Sequence, residues 1–431
     1  MDLKIEKLVY GGDGLGRTPS EDGRSMAVFV PFVLPGEQVE AEIRQEKPGY
    51  ARGTVTRVMT ESSERVGPNC RYFQQCGGCQ YQHIAYARQL EYKAAIARET
   101  LQRIAKIELK NEIRVHPSEP LGYRNRTRLR VQVTPEFALG YYRFASHQFL
   151  AVSECPISSP LINSVIARLV ESRGSGCPGG IEELELFADA ADERVLAWAF
   201  CGRDADVQSL LVWAEALRAE IPALAGIVFF PSRGRHEDET TEAVPLGHTG
   251  ETFLHYAAAG ASYRASAGAF FQVNRHLIDD LASTVTAGAG GELALDLYAG
   301  GGLFSAGLAK IFHHIFAVEA SQISHHDLKQ NVPTNVKAVR ARSEDYLRNR
   351  PARKRPDLVV LDPPRAGLGK SVTRALVELA APSVRYVSCD PATLARDLAP
   401  LVASGYRIEE AHLFDLFPQT YHIEMVMLLA R

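Results

Sequence analysis

Val387-Ser388-Cys389-Asp390-Pro391 is an apolar run that ends in a thiol, an acid and a proline. Residues 384–387 predict a buried strand and residues 392–401 a helix, so Cys389 is expected at the carboxyl end of a strand and beside a helix N-terminus. The positive end of a helix favours a thiolate over a thiol, which makes Cys389 a candidate nucleophile. A buried structural cysteine is the alternative at this position.

Two further segments support the functional interpretation of this thiol. Leu361-Asp362-Pro363-Pro364-Arg365 ends the preceding predicted strand, and the segment from Phe417 to Glu424 leads into the last one. Both segments place ionisable side chains at strand ends. We expect Cys389 and Glu424 to face one cavity.

Alternating strands and helices are predicted from about residue 290 onward. Leu293 to Tyr298 predicts a strand, Gly300 to Gly302 form a glycine turn, and the next predicted strand ends at Glu319. Glu319 follows Asp296 by 23 residues, the place where an acid binds ribose hydroxyls in dinucleotide-binding folds. The G-x-G-x-x-G spacing of NAD enzymes is not met, and the strand that contains Asp296 is similar to those of S-adenosylmethionine enzymes.

Length and composition indicate a soluble protein of two or three domains. The chain has 431 residues, of which 46% are hydrophobic and 23% charged. We find no apolar run long enough to span a membrane, and the charged start, Met1 to Lys7, is not a secretory signal. The sequence therefore predicts a cytoplasmic protein with no membrane partner.

Basic residues are concentrated in the first part of the chain, where a small β-barrel is predicted. Residues 1–150 carry 22 Lys and Arg against 17 Asp and Glu, whereas residues 151–431 carry 26 against 34. Residues 1–60 contain four or five short alternating segments between turn signals, as in an OB-type barrel, and the glycine-rich segment Gly11 to Gly16 is predicted to be one of these turns. A barrel that binds no ligand and a barrel that binds RNA are both compatible with this pattern. The cations that would contact RNA phosphates are Lys4, Lys7, Arg17, Arg24, Arg44, Lys47, Arg52 and Arg57.

Three cysteines occur within ten residues, in the pattern C-x5-C-x2-C formed by Cys70, Cys76 and Cys79. Such crowding in a cytosolic chain indicates a metal site rather than disulfides. A fourth ligand is needed, and Cys155, which is followed by proline, suits a four-iron cluster. A Cys3His zinc site that uses His83 is the alternative, but the second CxxC of a zinc ribbon is missing.

The predicted central module contains a strand with a row of arginines. Arg124, Arg126, Arg128 and Arg130 alternate along one strand and therefore share one face. A solvated face would normally interleave acids with such cations. We expect these guanidinium groups to contact RNA phosphates. Residues 233–241 predict a polar loop in the same module.

These motifs together resemble the RNA uracil-C5 methyltransferases, the enzymes that form 5-methyluridine in ribosomal and transfer RNA. The segment from Ser388 to Asp397 matches the nucleophile signature of that family almost letter for letter, and Phe270 to Asn274 and Asp362 to Arg365 match its other motifs. The resemblance implies that this chain is a multidomain α/β protein. It would have an OB-like TRAM barrel (1–60), a central α+β module with an iron–sulfur site (61–260) and a Rossmann-like class I methyltransferase domain (261–431).

The resemblance also implies a role for each candidate residue. The catalytic residues would be Cys389, as the nucleophile that adds to uracil C6, and Glu424, as the base. The residues that contact S-adenosyl-L-methionine or the uracil edge would be Gln272, Tyr298, Glu319 and Asp362. The ligands of a 4Fe-4S cluster would be Cys70, Cys76, Cys79 and Cys155.

The barrel and the cluster together favour 23S rRNA over tRNA as the target, and a monomer is expected. Three alternatives remain open: a tRNA uridine-C5 methyltransferase, a methyltransferase for exocyclic amines, and an iron–sulfur RNA-binding protein without catalysis. Amine-methylating enzymes typically carry an aromatic residue after Asp-Pro-Pro, where this chain has Arg365. The presence of both Cys389 and Glu424 argues against the last two alternatives.

Overall fold

The computed structural model describes residues 1–19, 25–232, 244–350 and 354–431. Five strands at the start of the chain form a closed barrel in the order β1-β2-β3-β5-β4. They are β1 (Asp2–Leu8), β2 (Asp13–Pro19), β3 (Ser25–Pro31), β4 (Gln38–Lys47) and β5 (Tyr50–Thr60). The predicted barrel is confirmed.

The glycine-rich segment of the barrel differs from the sequence prediction, which made all of it a turn. Gly11 and Gly12 form the turn, with φ values of 106° and 95°. Gly14 and Gly16 lie within β2, where a Cβ atom would come within 2.4 Å of Val33 and 2.6 Å of Leu3. These two glycines let the strands approach closely across the barrel interior.

The central part of the chain contains a seven-stranded sheet covered by helices on one face. The order is β13-β12-β11-β10-β7-β8-β9. Its elements, with those that precede and follow it, are α1 (Tyr86–Thr100, continued by a π-helical turn over Leu101–Ala105), β6 (Arg114–His116), β7 (Arg126–Gln132), β8 (Ala138–Tyr142), β9 (Phe149–Ala151), α2 (Pro160–Glu171, followed by a 3-10 turn over Arg173–Gly176), β10 (Ile181–Ala188), β11 (Val195–Cys201), α3 (Val207–Glu220), β12 (Leu224–Pro231), β13 (Gly247–Gly250) and the hairpin of β14 (Phe253–Ala258) and β15 (Ala261–Ser266). The predicted loop at 233–241 lies outside the described residues.

The C-terminal part of the chain alternates strands and helices around an eight-stranded sheet, as predicted. Its order is β18-β17-β16-β19-β20-β22-β21-β6. The elements are α4 (Ile278–Thr286), β16 (Gly291–Leu297), α5 (Leu303–Leu308), β17 (Phe312–Glu319), α6 (Gln322–Asn331), β18 (Val336–Arg340), α7 (Ser343–Asn349), β19 (Leu358–Leu361), α8 (Gly369–Leu379), β20 (Ser383–Ser388), α9 (Pro391–Ala403), β21 (Arg407–Phe414) and β22 (Glu424–Ala430).

Strand direction in this sheet places the functional segments at one edge. The five strands β18, β17, β16, β19 and β20 are parallel to one another. Strand β22 runs antiparallel between β20 and β21. The strand order reverses between β16 and β19, and ligands of open α/β sheets bind at the carboxyl ends beside such a reversal. The ends of β16, β17, β19 and β20 and the start of β22 therefore meet at this edge.

Two elements from the central part of the chain complete the C-terminal sheet. Strand β6 pairs in parallel with the edge strand β21, from Arg114 opposite His412 to His116 opposite Phe414. Helix α1 packs against α9 and shares its apolar core. The methyltransferase-like fold therefore extends across the boundary predicted at residue 260.

Among the residues that the structure describes, every helix is too short or too polar to cross a lipid bilayer.

Candidate functional site

Cys389 and Glu424 adjoin the same residue pair of two neighbouring strands. The last antiparallel pair between β20 and β22 joins Ser388 to Met425; Cys389 directly follows Ser388, and Glu424 directly precedes Met425 at the start of β22. The negative charge of Glu424 raises the pKa of Cys389, which agrees with this proximity.

Burial and neighbouring acids keep the Cys389 thiol protonated in the resting protein. Burial, followed by the charge of Glu424, raises its pKa to about 12, and the guanidinium of Arg365 opposes this rise. The expectation that the helix N-terminus would favour a thiolate is therefore wrong, because desolvation and carboxylates outweigh it. Glu424 is buried, and desolvation together with Asp362 raises its pKa well above its usual range.

The turn that carries Cys389 is fixed by the cap of the following helix. Oδ1 of Asp390 accepts hydrogen bonds from the backbone N–H groups of Ala392 (2.9 Å) and Thr393 (2.8 Å). Pro391 occupies the first turn of α9, where its missing N–H has no cost. The Asp-Pro pair therefore sets where β20 ends and the helix begins.

Asp362 and Gln272 meet beside Cys389 and Glu424. The side-chain nitrogen of Gln272 donates to Oδ2 of Asp362 over 3.4 Å. Burial, followed by the charge of Asp296, raises the pKa of Asp362 to about 7. Arg365 lies within 3.4 Å of both ring nitrogens of His422. Burial, followed by the charge of Arg365, lowers the pKa of His422 to about 3, so this imidazole is neutral.

The ends of β16 and β17 form a polar crevice around a glycine turn. Glu319 accepts hydrogen bonds from the backbone N–H groups of Gly300 (2.8 Å) and Ser321 (2.7 Å). Asp296 accepts from the hydroxyl of Ser305 over 2.5 Å, and its other oxygen is buried without a hydrogen-bond partner in the described part of the chain. Tyr298 has a positive φ of 64°, which turns the chain into the glycine segment.

The loop before Glu424 is held in place by residues from the first hundred positions. Gln419 has a positive φ of 68°, and its carbonyl oxygen accepts from the N–H groups of Gln80 (3.0 Å) and Tyr81 (2.9 Å). The buried side chain of Gln89 donates to the Gln419 side chain (2.9 Å) and accepts from its backbone N–H (3.0 Å). Gln80 follows Cys79, the last cysteine of the cysteine-rich segment. Hydrogen bonds therefore connect that segment directly to the loop before Glu424.

The four predicted ligand cysteines line one cavity of about 270 Å³. Cys70, Cys76 and Cys79 come from the loop before α1, and Cys155 comes from the turn before α2. Asn163 fixes that turn by accepting from the N–H of Cys155 (2.8 Å) and donating to its carbonyl oxygen (3.0 Å). Within the described residues, no group of three or more His, Cys, Asp or Glu side chains is arranged to hold a single metal ion.

His83 does not belong to the cysteine cavity, which argues against the Cys3His alternative. Its ring packs between Phe32 and Phe73, with ring centres 6.4 and 5.5 Å away. The residues that line the cavity do not include it. Burial lowers the pKa of His83 to about 4, as expected for a neutral imidazole among aromatic rings.

Comparison with known proteins assigns the chain to a family. The family model described as tRNA (Uracil-5-)-methyltransferase matches residues 251–431, and the TRAM domain model matches residues 1–56. A 23S rRNA (uracil(1939)-C(5))-methyltransferase, RlmD, of Halomonas elongata is 33% identical over 99% of this chain and 89% of its own length. The chain belongs to the RNA uracil-C5 methyltransferase family.

Other relatives agree with this assignment along the whole chain. An uncharacterized RNA methyltransferase of Caldanaerobacter subterraneus subsp. tengcongensis is 31% identical over 100% of this chain and 98% of its own length. The crystal structure of a Pyrococcus abyssi tRNA (uracil-54, C5)-methyltransferase with S-adenosyl-L-homocysteine matches with a TM-score of 0.74 over 100% of both chains at 24% identity. The family is S-adenosyl-L-methionine-dependent and acts on RNA, and the fold at the crevice agrees with that cofactor.

Three arginines of the predicted row are paired with acids of a neighbouring strand. Arg126 and Arg128 pair with Glu185, and Arg130 pairs with Glu183, both on β10. Arg126 also lies over the ring of Trp198. The absence of acids along β7 itself therefore does not leave these three cations unbalanced, and their contact with RNA phosphates stays a prediction.

The barrel cations of the methyltransferase also form ion pairs in several places. Arg17 pairs with Glu6, Arg44 with Glu42, Arg52 with Asp13, and Lys7 with Glu99. For Lys4, Lys47 and Arg57, no ion pair occurs with another described residue, whereas Arg24 lies outside the described residues. Surface pairs of this kind are worth little and can open to a phosphate.

Two residues beside the catalytic pair received no role from the sequence. Arg365 influences the pKa of both Cys389 and Glu424, and its position after Asp-Pro-Pro was the signal that could have identified it. Tyr10 of the barrel reaches the turn that carries Cys389. Nothing in the sequence indicates that contact, because 380 positions separate Tyr10 from Asp390, whose side chain accepts the hydrogen bond.

Proposed function

We propose that this enzyme methylates C5 of a uridine in RNA, with Cys389 as the nucleophile and Glu424 as the base. The observation that carries the proposal is that the two residues adjoin the same pair of β20 and β22, and that the charge of Glu424 raises the pKa of Cys389. A thiol and a carboxyl group this close in the fold can reach neighbouring atoms of one pyrimidine ring. Exocyclic-amine methylation requires no such pair.

C5 of uracil is a weak nucleophile, and the cysteine solves this problem. The Cys389 sulfur bonds to C6 while the thiol proton passes to water, and the electron pair of the C5=C6 bond makes C5 an enolate carbon. S-adenosyl-L-methionine, when bound, supplies the methyl group that C5 takes up. Glu424 then removes the remaining C5 proton, the C6–S bond breaks, and the thiolate leaves 5-methyluridine.

Arg365 and burial together set the proton balance of this reaction. Burial raises the pKa of both Cys389 and Glu424, which favours the protonated form of each group in the empty site. The Arg365 guanidinium lowers both pKa values and thereby favours the thiolate and the carboxylate that the two steps require. The uridine must leave its stack to reach Cys389, which costs a few kcal/mol and least in a loop or bulge.

The crevice beside the catalytic pair suits the cofactor. Glu319 and Tyr298 would hold its ribose and amino-acid parts, and Asp362 and Gln272 would contact the uracil edge or the methionine end. A Cβ on Gly300 would meet no atom within 4 Å, so there is open space beside the glycine turn. The buried, unpartnered oxygen of Asp296 also indicates a site that accepts a polar ligand.

Cys70, Cys76, Cys79 and Cys155 would bind a 4Fe-4S cluster. In a mononuclear site all sulfur donors lie about 2.3 Å from one ion and therefore close to one another. A four-iron cluster is larger than a single ion, so its cysteine ligands can be spaced around a cavity. Arg124 and Arg128 also line that cavity and would offset the negative charge of a thiolate-bound cluster. The cluster is proposed here on the donor set and on this charge.

The target that we propose is 23S rRNA, modified in the cytoplasm by a monomeric enzyme. The H. elongata relative that is named for 23S rRNA matches across the whole chain at 33% identity. The barrel (1–60) and the central module (61–260) would bind the RNA, and residues 261–431 would hold the reaction. Transfer RNA is the second candidate, and mapping 5-methyluridine in both RNA classes from a deletion strain separates the two targets.

Trapping with 5-fluorouridine tests the chemistry. In 5-fluorouridine a fluorine replaces the C5 hydrogen, and a base cannot remove it as it removes a proton. RNA that contains 5-fluorouridine should therefore remain covalently attached to the enzyme in the presence of S-adenosyl-L-methionine. We expect the adduct with the wild type and with Cys177→Ala, and none with Cys389→Ala. An adduct that survives Cys389→Ala, or methyl transfer to an amine of another base, would overturn the proposal.

Glu424 is tested by the fate of the adduct on ordinary uridine. Glu424→Gln should form the covalent intermediate and fail to release it, because the C5 proton has no acceptor. The measurement is the fraction of protein that migrates with RNA after denaturation. Rapid release with normal product formation would show that another group removes the proton.

A further inference from the structure

The turn between β1 and β2 of the barrel packs directly against the catalytic site. Tyr10 lies in this turn, and its ring meets the ring of Tyr421 edge-to-face at 5.6 Å. A Cβ on Gly12 would come within 3.0 Å of Gln80 and 3.5 Å of Tyr421. The barrel therefore touches the loop before Glu424 through a close approach that only glycine permits at φ 95°.

The hydroxyl of Tyr10 reaches the turn that carries the nucleophile. It donates to Oδ2 of Asp390 over 3.1 Å and lies 3.5 Å from the carbonyl oxygen of Cys389. Oδ1 of Asp390 is already used by the two N–H groups of α9. In the described part of the chain, no other donor reaches Oδ2, so the tyrosine completes the environment of this carboxylate.

Side chain and helix cap together restrict the Cys389 turn from two sides. The cap fixes Asp390 relative to α9, and the Tyr10 hydroxyl fixes the same carboxylate relative to the barrel. A hydrogen bond to a carboxylate is stronger than one between neutral groups. Nucleophile placement is sensitive to small shifts, since a displacement of about 1 Å can lower a rate by two orders of magnitude.

We propose that Tyr10 is a positioning residue for Cys389, so that the barrel contributes to catalysis as well as to RNA binding. The inference rests on the proposed function, because it assigns a partner to the nucleophile of that reaction. Tyr10 touches no reacting atom and acts through Asp390. A barrel that only bound RNA would need no hydroxyl at this place.

The Tyr10→Phe variant tests the proposal because it keeps the ring contact with Tyr421 and removes only the hydroxyl. We expect kcat for methylation to fall about tenfold, with KM for RNA within a factor of about two. Tyr406→Phe is the matched control, since it removes a hydroxyl that donates to the carbonyl oxygen of Ala381, outside the barrel and before the start of β20. It should leave both constants unchanged.

A double-mutant cycle with Asp390→Asn separates positioning from general loss of structure. If the tyrosine acts through Asp390, Tyr10→Phe should have little further effect on kcat in the Asp390→Asn background. Equal effects in both backgrounds, or a rise in KM alone, would overturn the inference. Thermal unfolding of each variant shows whether folding has changed.

The same assay keeps this inference distinct from the proposed function. Cys389→Ala that still forms the 5-fluorouridine adduct removes the proposed reaction. A Cys389-dependent adduct that forms at the wild-type rate in Tyr10→Phe leaves the reaction intact and removes only the role of Tyr10.

Discussion

Cys389 and Cys79 carry the same side chain in similar burial, but their neighbours differ. Burial raises the pKa of each thiol to about 12. Around Cys389 the next influences are the carboxyl groups of Glu424 and Asp362 and the guanidinium of Arg365. Around Cys79 they are a hydrogen bond with Gln82 and the thiols of the other cavity cysteines.

We infer from this difference that neighbouring groups would distinguish the proposed nucleophile, Cys389, from the proposed metal ligand, Cys79. A carboxyl group beside a thiol can receive and return a proton, which a reaction cycle requires. Several thiols around one cavity repel one another as thiolates and require a cation to hold them together. Exchanging or removing those neighbours should therefore change the two sites in different ways.

The largest difference is expected between Cys389→Ser and Cys79→Ser. Loss of the nucleophile should lower methylation by a factor on the order of 10⁴ or more and leave iron content and thermal unfolding unchanged. If the cavity holds the proposed 4Fe-4S cluster, the wild type should be brown, and Cys79→Ser should lose its visible absorbance and unfold at a lower temperature. One equivalent of zinc and no iron in anaerobically purified wild type would contradict the cluster.

A smaller effect is expected from the cation beside the nucleophile. Arg365 lowers the pKa of both Cys389 and Glu424, so Arg365→Ala should raise both. The base form of each group then appears at higher pH, so the rising limb of the plot of log kcat against pH should shift to higher pH. Arg365→Lys keeps the positive charge and is the control. A profile that is the same in all three proteins would show that Arg365 does not influence the reacting groups.

The smallest effect concerns the free energy of unfolding, which the burial of the acid Asp362 near Cys389 should lower at neutral pH. The pKa of Asp362 rises from 3.8 in its ordinary state to about 7 in the folded protein. Below pH 3.8 the carboxyl is protonated in both states. Between pH 3.8 and about 7 the unfolded chain releases the proton and the folded chain keeps it, so stability is lost as pH rises. Above about 7 the loss is complete.

Asp362→Asn removes this titration and should unfold at a higher temperature than the wild type at pH 8. The advantage should shrink as the pH is lowered towards 4. Differential scanning calorimetry at both pH values measures it. A constant difference across this range would mean that Asp362 does not carry the raised pKa.

The sequence predicted the parts of this protein that local patterns determine. Alternating apolar residues identified the barrel, and the Ser388 to Asp397 signature identified the strand, the thiol and the helix that follows. The prediction of a turn at Gly14 and Gly16 was wrong, because a glycine that permits two strands to approach closely cannot be told from a turn glycine by the local sequence.

Features that depend on distant residues could not be predicted. The acids that neutralise Arg126 and Arg128 lie on β10, more than 50 positions away along the chain. The pKa of Cys389 depends on Glu424 and Asp362, whose distances from the thiol only the fold determines. The roles of Cys389 and Glu424 stay predictions, although their placement next to the same strand pair agrees with them.

Strand β6 has a consequence for how this molecule can be divided. It supplies the outermost strand of the C-terminal sheet from residues 114–116, and α1 covers apolar side chains of α9. A fragment that starts at residue 261 would expose the open edge of β21 and an uncovered helix face, the two features that promote self-association. Such a fragment should therefore be recovered as aggregates. A shortened enzyme would have to retain residues 86–116 even if every RNA contact in the central sheet were dispensable.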